Sequence, residues 1–117
     1  MVKLESLKKS YQFKKTLREK KVHSDFFSIF ATKNFYNPKF KSNLLISFVM
    51  KKKIGNAVKR NKIRRKLKAI VQKLLKKRGA ISKDYTYIVF GKSNAYTRKQ
   101  NLLMPLMEKS FNKIKDK

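Results

Sequence analysis

The spacing of apolar residues predicts one α+β domain. From Ser24 to Lys33, SDFFSIFATK alternates as a strand does, with Phe27 and Ile29 toward one side and Phe26, Ser28 and Phe30 toward the other. Aromatics on both sides imply that one face packs on helices while the other contributes to a surface cleft. LLISFVM at 44–50 is short and nearly all apolar, which suits a strand buried on both faces. DYTYIVFG at 84–91 is a third clear strand. Between these last two the period changes. At about 100° per residue, Ile63, Leu67, Ile70, Val71 and Leu74 fall on one arc, predicting a helix to about Lys77, with Gly79 as its C′ residue. Ser10 reads as the N-cap of a shorter helix, from Tyr11 to about Lys20, in which Phe13 and Leu17 share a face. The pattern from Thr97 to Ile114 is helical, with Leu102, Leu103, Leu106, Met107 and Phe111 as its buried stripe; Pro105 either kinks it or starts a second helix. Residues 1–9 read as a basic arm, and Asn34–Asn43, around Asn37-Pro38, as a turn. No repeat or long linker divides the chain, so 1–117 reads as one domain.

Charge changes this picture more than composition does. Lys and Arg number 33 against 6 Asp and Glu, a net charge of +27 on 117 residues, while 41% hydrophobic content argues against disorder. A compact chain with that charge is expected beside a polyanion, with nucleic acid ahead of an anionic membrane. No apolar run approaches the ~20 residues of a membrane span, and the N-terminus lacks the apolar core of a secretory signal. The absence of Cys removes disulfides, Cys-based zinc sites and thiol chemistry. A soluble cytoplasmic protein is expected.

The acids, Glu5, Glu19, Asp25, Asp84, Glu108 and Asp116, are scattered, and His23 has no partner at motif spacing and is expected in an exposed loop. No Gly-rich phosphate loop of the Walker type is present. Such a chain is equipped to bind rather than to cut. Its binding chemistry concentrates in KKKIGNAVKRNKIRRKLKA, residues 51–69. There Asn61, Arg64, Arg65 and Lys68 form one arc of the helix, with Arg60 beside it, opposite the apolar arc. Gly55-Asn56 ahead of them allows an unusual backbone and leaves N–H groups at the helix's positive end. Phe13 and Leu17, with Lys14, Lys15 and Arg18 beside them, fit ordinary core contacts.

The run Gly55-Asn56-Ala57-Val58-x-Arg60-Asn61-x-x-Arg64-Arg65-x-x-Lys68 resembles the signature of the protein subunit of bacterial ribonuclease P. The likeness extends more loosely over the whole chain. It implies a mixed sheet of about four strands, three of them clear here, packed by a central and terminal helices. The implied order is α-β-β-β-α-β-α, as in the second domain of ribosomal protein S5, with a left-handed crossover where right-handed ones are usual. It also implies a role: helping a catalytic RNA remove the 5′ leader of precursor tRNA, with Mg²⁺ bound mainly by RNA and no catalytic residue in the protein. Contacts to the catalytic RNA are implied for Lys52, Lys53, Asn56, Arg60, Asn61, Arg64, Arg65 and Lys68, with Asn61 reaching a metal through water. A leader cleft is implied at Phe13, Leu17 and Phe30. One RNA per protein, precursor tRNA as substrate, no membrane and no obligate protein partner complete the expectation. Leu17 departs from the family's common aromatic and Lys68 from its frequent arginine. The rivals are a small basic ribosomal or RNA-chaperone-type protein, and a membrane-active cationic protein, which would need a broad exposed apolar face.

Overall fold

A computed structural model describes residues 3–33 and 43–116. Five strands, β1 (Leu4–Glu5), β2 (Lys20–His23), β3 (Phe27–Lys33), β4 (Leu44–Val49) and β5 (Tyr85–Gly91), form one mixed sheet in the order β1-β4-β5-β3-β2. Three α-helices cover it: α1 (Ser10–Arg18), α2 (Ala57–Leu74) and α3 (Gln100–Asp116). β4 and β5 are parallel and joined through α2, the connection whose left hand the resemblance implies; β3 runs antiparallel to β5.

The two faces of the sheet are chemically unlike. Phe27, Ile29 and Ala31 of β3, Leu44 and Ile46 of β4, and Tyr87 and Val89 of β5 are buried on the α2/α3 side. Against them α2 sets Ile63, Leu67, Ile70, Val71 and Leu74, every one fully enclosed and every one on the arc that the spacing picks out. Burying such side chains contributes roughly 1.5–3 kcal/mol each. On the α1 side the enclosed groups are largely hydroxyls and amides: Gln12, Thr16, Ser28, Thr32, Ser47 and Thr86, with Leu45 and Ile88 among them. β4 is central and double-faced as expected, although Phe48 and Val49 are only half-buried.

Several boundaries differ from expectation, each for a local reason. Leu4 and Glu5, inside the supposed arm, add a parallel edge to β4, and Leu7 N–H donates to Ser47 Oγ at 2.8 Å. α1 starts at Ser10 with Lys9 as its cap; the Gln12 side-chain oxygen accepts from the N–H groups of Lys8 and Lys9, so Ser10 is not the cap. The helix also stops at Arg18, because Lys20–His23 forms the separate edge strand β2. Ser24 then turns the chain, its hydroxyl accepting from Phe26 and Phe27 N–H, which shortens β3 and takes Phe26 out of it. α2 ends at Leu74 and continues as turns to Gly79, whose φ of +77° closes the segment. Pro105 sits inside one uninterrupted α3. Leu102 and Leu106 are exposed at 52% and 39%, and the buried stripe is Leu103, Met107, Phe111 and Ile114. The turn expected over Asn34–Asn43 lies, but for Asn43, outside the described residues.

Candidate nucleic-acid interface

Two sites meet at the connector between β4 and α2. The connector contains a short 3₁₀ turn, Lys52–Ile54, followed by Gly55 at φ +152°. Asn56 then caps α2: its side-chain oxygen accepts from Lys59 N–H at 2.9 Å. Capping consumes one of the N–H groups that the sequence offers to an anion, so Asn56 organises the helix start as well as standing exposed there.

Along α2, Asn61, Arg64 and Arg65 converge with the exposed Val58 on a shallow hollow of about 300 Å³. Arg64 Nη1 donates to Asn61 Oδ1 at 2.6 Å, which fixes the guanidinium and occupies one lone pair of the amide oxygen. Lys68 is exposed further along the helix and does not line the hollow. Arg60 is half-buried and does not line the hollow either, and its Nε is enclosed without a hydrogen-bond partner. This is a surface of donors, of which Arg64 is held by Asn61. Among the described residues no three His, Asp or Glu side chains gather into a metal site.

The second site is a cleft of about 640 Å³ on the α1 side of the sheet. Phe30 and Phe90 form its floor, edge to face with ring centres 5.4 Å apart, and His23 meets Phe30 in the same way at 5.8 Å. These positions follow from register: Ser28 pairs with both His23 and Phe90, which brings three strands together at one end of the sheet. Leu17 supplies the wall from α1, and Lys51, Lys53 and Ile54 supply it from the connector. Lys51 Nζ lies 5.6 Å from the Phe90 ring centre, a cation held over an aromatic face. His23 Nδ1 is 2.7 Å from Ser28 Oγ. Gly91 closes the end of β5, where a Cβ would come within 3 Å of the Met50 and Ile63 side chains and displace them.

The structure therefore brings Leu17 and Phe30 to one cleft, whereas Phe13, one turn earlier on α1 and half-buried, is not among its lining residues. Lys53 lines the cleft and Lys52 does not. His23 is exposed as expected, but it belongs to a strand and to the cleft rather than to a loop. Phe90 is the main residue that sequence reading missed; its alternation with Tyr87 and Val89 in β5 was the available signal.

Several cations near these sites have partners within the protein. On the other flank of α2, Lys59 donates to Ser93 Oγ, and Lys59 and Lys62 stand 5.2 and 4.7 Å from the Tyr96 ring centre. Lys66 donates to backbone carbonyls of the 95–98 segment. Lys92, which lines the cleft, donates its ammonium to Ser24 O.

A family model described as Ribonuclease P matches residues 1–115. The ribonuclease P protein component of Mycoplasma mycoides is 34% identical over 83 residues, covering 71% of this chain and 72% of that protein. That of Mycoplasma capricolum is 29% identical over 109 residues, covering 93% and 94%. Among solved structures, the RNase P protein of Staphylococcus aureus superposes with a TM-score of 0.68 at 26% identity, covering 92% of each chain. The protein from Thermotoga maritima, at 20% identity, shares the fold with a TM-score of 0.74 over 94% of this chain and 97% of that one.

Proposed function

Because the chain belongs to the ribonuclease P protein family, a subunit of an endoribonuclease that works with an RNA partner in tRNA processing, we propose that its two sites divide the work of that holoenzyme. The α2 surface docks the catalytic RNA, and the cleft holds the 5′ leader of precursor tRNA. The observation that carries this reading is the shared connector: Lys51, Lys53 and Ile54 line the cleft, and Asn56 begins the helix that presents Asn61, Arg64 and Arg65. One short connector thus relates the two RNAs to each other.

The chemistry at each site suits its ligand. Arg64, held by Asn61, offers a planar fork to phosphate oxygens, and Arg65 beside it adds a second. Arg60 Nε is enclosed, so an RNA contact at Arg60 falls to the outer nitrogens of its guanidinium. Lys52 and Lys68 add exposed charge to this surface. In the cleft, Phe30 and Phe90 offer ring surface to unpaired bases, each stacked base contributing ~1–3 kcal/mol, while Lys51 and Lys53 meet the backbone. Single-stranded leader fits such a cleft; duplex RNA does not splay its bases. Affinity for the leader favours precursor over product, and the cations reduce repulsion between two polyanions as they come together.

We read Mg²⁺ as bound mainly by the RNA, with bond cleavage there too. Asn61 can meet a metal-bound water only through the lone pair that Arg64 leaves. The complex is read as one protein per RNA, without an obligate protein partner and without membrane attachment; no helix among the described residues is long and apolar enough to cross a bilayer. Residues 1–117 act as one domain, in the cytoplasm. Reconstitution tests the reading: ribonuclease P RNA with Mg²⁺ and this chain should cleave precursor tRNA at the leader junction, and the chain alone should not. Cleavage by the protein without RNA, or no stimulation of the RNA by the protein, would contradict it.

A further inference from the structure

Lys66 lies on the flank of α2 opposite the donor surface, and its ammonium donates to three backbone carbonyls: Ala95 O and Tyr96 O at 2.9 Å and Arg98 O at 2.7 Å. An ammonium carries three N–H donors, so this head group is saturated. All three acceptors belong to the segment that leaves β5 through the 3₁₀ turn Ser93–Ala95. A short helical turn leaves carbonyl oxygens unpaired at its end, and Lys66 satisfies them. The same segment begins with Gly91, Lys92 and Ser93, which close one end of the cleft. Burial, then the neighbouring charge of Lys62, lowers the Lys66 pKa. The residue is thus held at that position against an electrostatic cost, with carbonyls rather than a carboxylate as partners.

We infer that Lys66 is a positioning residue for the leader cleft: it clamps the 95–98 segment onto α2, which holds in place the cleft-lining Lys92 and Ser93 just before it, and makes no RNA contact of its own. The inference rests on the cleft being the leader site. It also gives the central helix a second task, since the helix that presents donors to the catalytic RNA on one flank fixes the cleft wall with the other.

The test uses the holoenzyme reconstituted with ribonuclease P RNA, and compares Lys66→Met, which keeps the stem and removes the donors, with Lys66→Arg, which keeps donors, and with Phe30→Ala. Affinities for precursor tRNA, mature tRNA and catalytic RNA are measured, together with amide hydrogen exchange of the protein. Lys66→Met should weaken precursor binding roughly three- to tenfold, as expected for a displaced wall, with mature tRNA and catalytic RNA within about twofold. Exchange should accelerate at 93–98, and Lys66→Arg should recover most of the loss. Unchanged precursor affinity in Lys66→Met, with a loss in Phe30→Ala, would overturn the inference and leave the leader reading standing. No loss in either would overturn both. A drop in catalytic-RNA affinity with a flatter salt dependence would make Lys66 a phosphate contact instead. Faster exchange across the whole sheet, with both tRNAs weakened alike, would make it a general stability residue and equally overturn the inference.

Discussion

The two flanks of α2 carry the same kind of charge and put it to different uses. On one, Asn61, Arg64 and Arg65 surround an open hollow, tied only to each other by the Arg64–Asn61 bond. On the other, Lys59, Lys62 and Lys66 are turned onto the Ser93–Arg98 segment, over an aromatic ring and against a hydroxyl and carbonyl oxygens. The difference does not lie in the charges. It lies in what each flank faces: where a neighbouring segment brings acceptors within reach, a cation becomes scaffold, and where none does, it remains available to an external anion.

The largest effect should come from stripping the open flank. Replacing Arg60, Arg64 and Arg65 with Ala should weaken catalytic-RNA binding on the order of 100-fold, since hydrogen bonds from charged groups to phosphate are among the strong ones; filter binding at fixed salt measures it, and a loss equal to that of the lysine flank would erase the distinction. Next is the cleft. Phe30→Ala should cost precursor tRNA roughly 5- to 100-fold in affinity, the worth of one stacked base, while mature tRNA is unaffected. Phe13→Ala should cost precursor tRNA less than Phe30→Ala in the same titration, because Phe13 lies one turn before Leu17 on α1 and does not line the cleft. Smaller still, Lys59→Ala with Lys62→Ala should change catalytic-RNA affinity by about threefold or less, the scale of weak exposed electrostatics. Leu17→Phe sharpens the account in the opposite direction: a ring on the cleft wall should tighten precursor binding by up to roughly fivefold through added stacking. A weaker complex would mean that the aliphatic side chain is needed for space.

Legibility in the sequence followed the same division. The core arc of α2 could be read residue by residue, because apolar periodicity has one physical cause and Ile63 through Leu74 obey it. β4 and β5 were legible as short apolar runs for a similar reason. β2 was not: KKVH has one buried residue, Val22, and is a strand because β3 offers it an edge. β1 is two residues long and owes its existence to β4. The stripe of α3 was read too broadly, since Leu102 and Leu106 continue the apolar pattern yet face outward beside Pro105.

The candidate site split likewise. The donors of α2 were visible as spacing, and the alternation around Phe30 pointed to a cleft, whereas Leu17 could be assigned to it only through family resemblance. The tethers of Lys66 and Lys92 were invisible, because their acceptors are backbone carbonyls, and those have no residue type. In a chain with only 6 acids, carbonyl oxygens take part of the role that carboxylates have elsewhere, and a sequence cannot show where they point.

The central claim, that position on α2 rather than charge decides which cations meet the catalytic RNA, has a direct test in matched double variants. Arg64→Ala with Arg65→Ala, and Lys59→Ala with Lys62→Ala, each remove two positive charges from the same +27 chain. The measurement is the slope of log affinity for ribonuclease P RNA against log salt. The arginine pair should flatten the slope by about 1.4 to 1.8, as two released phosphate contacts require, while the lysine pair leaves it nearly unchanged. Equal flattening by both pairs would show that charge alone governs the interaction, and would contradict the account.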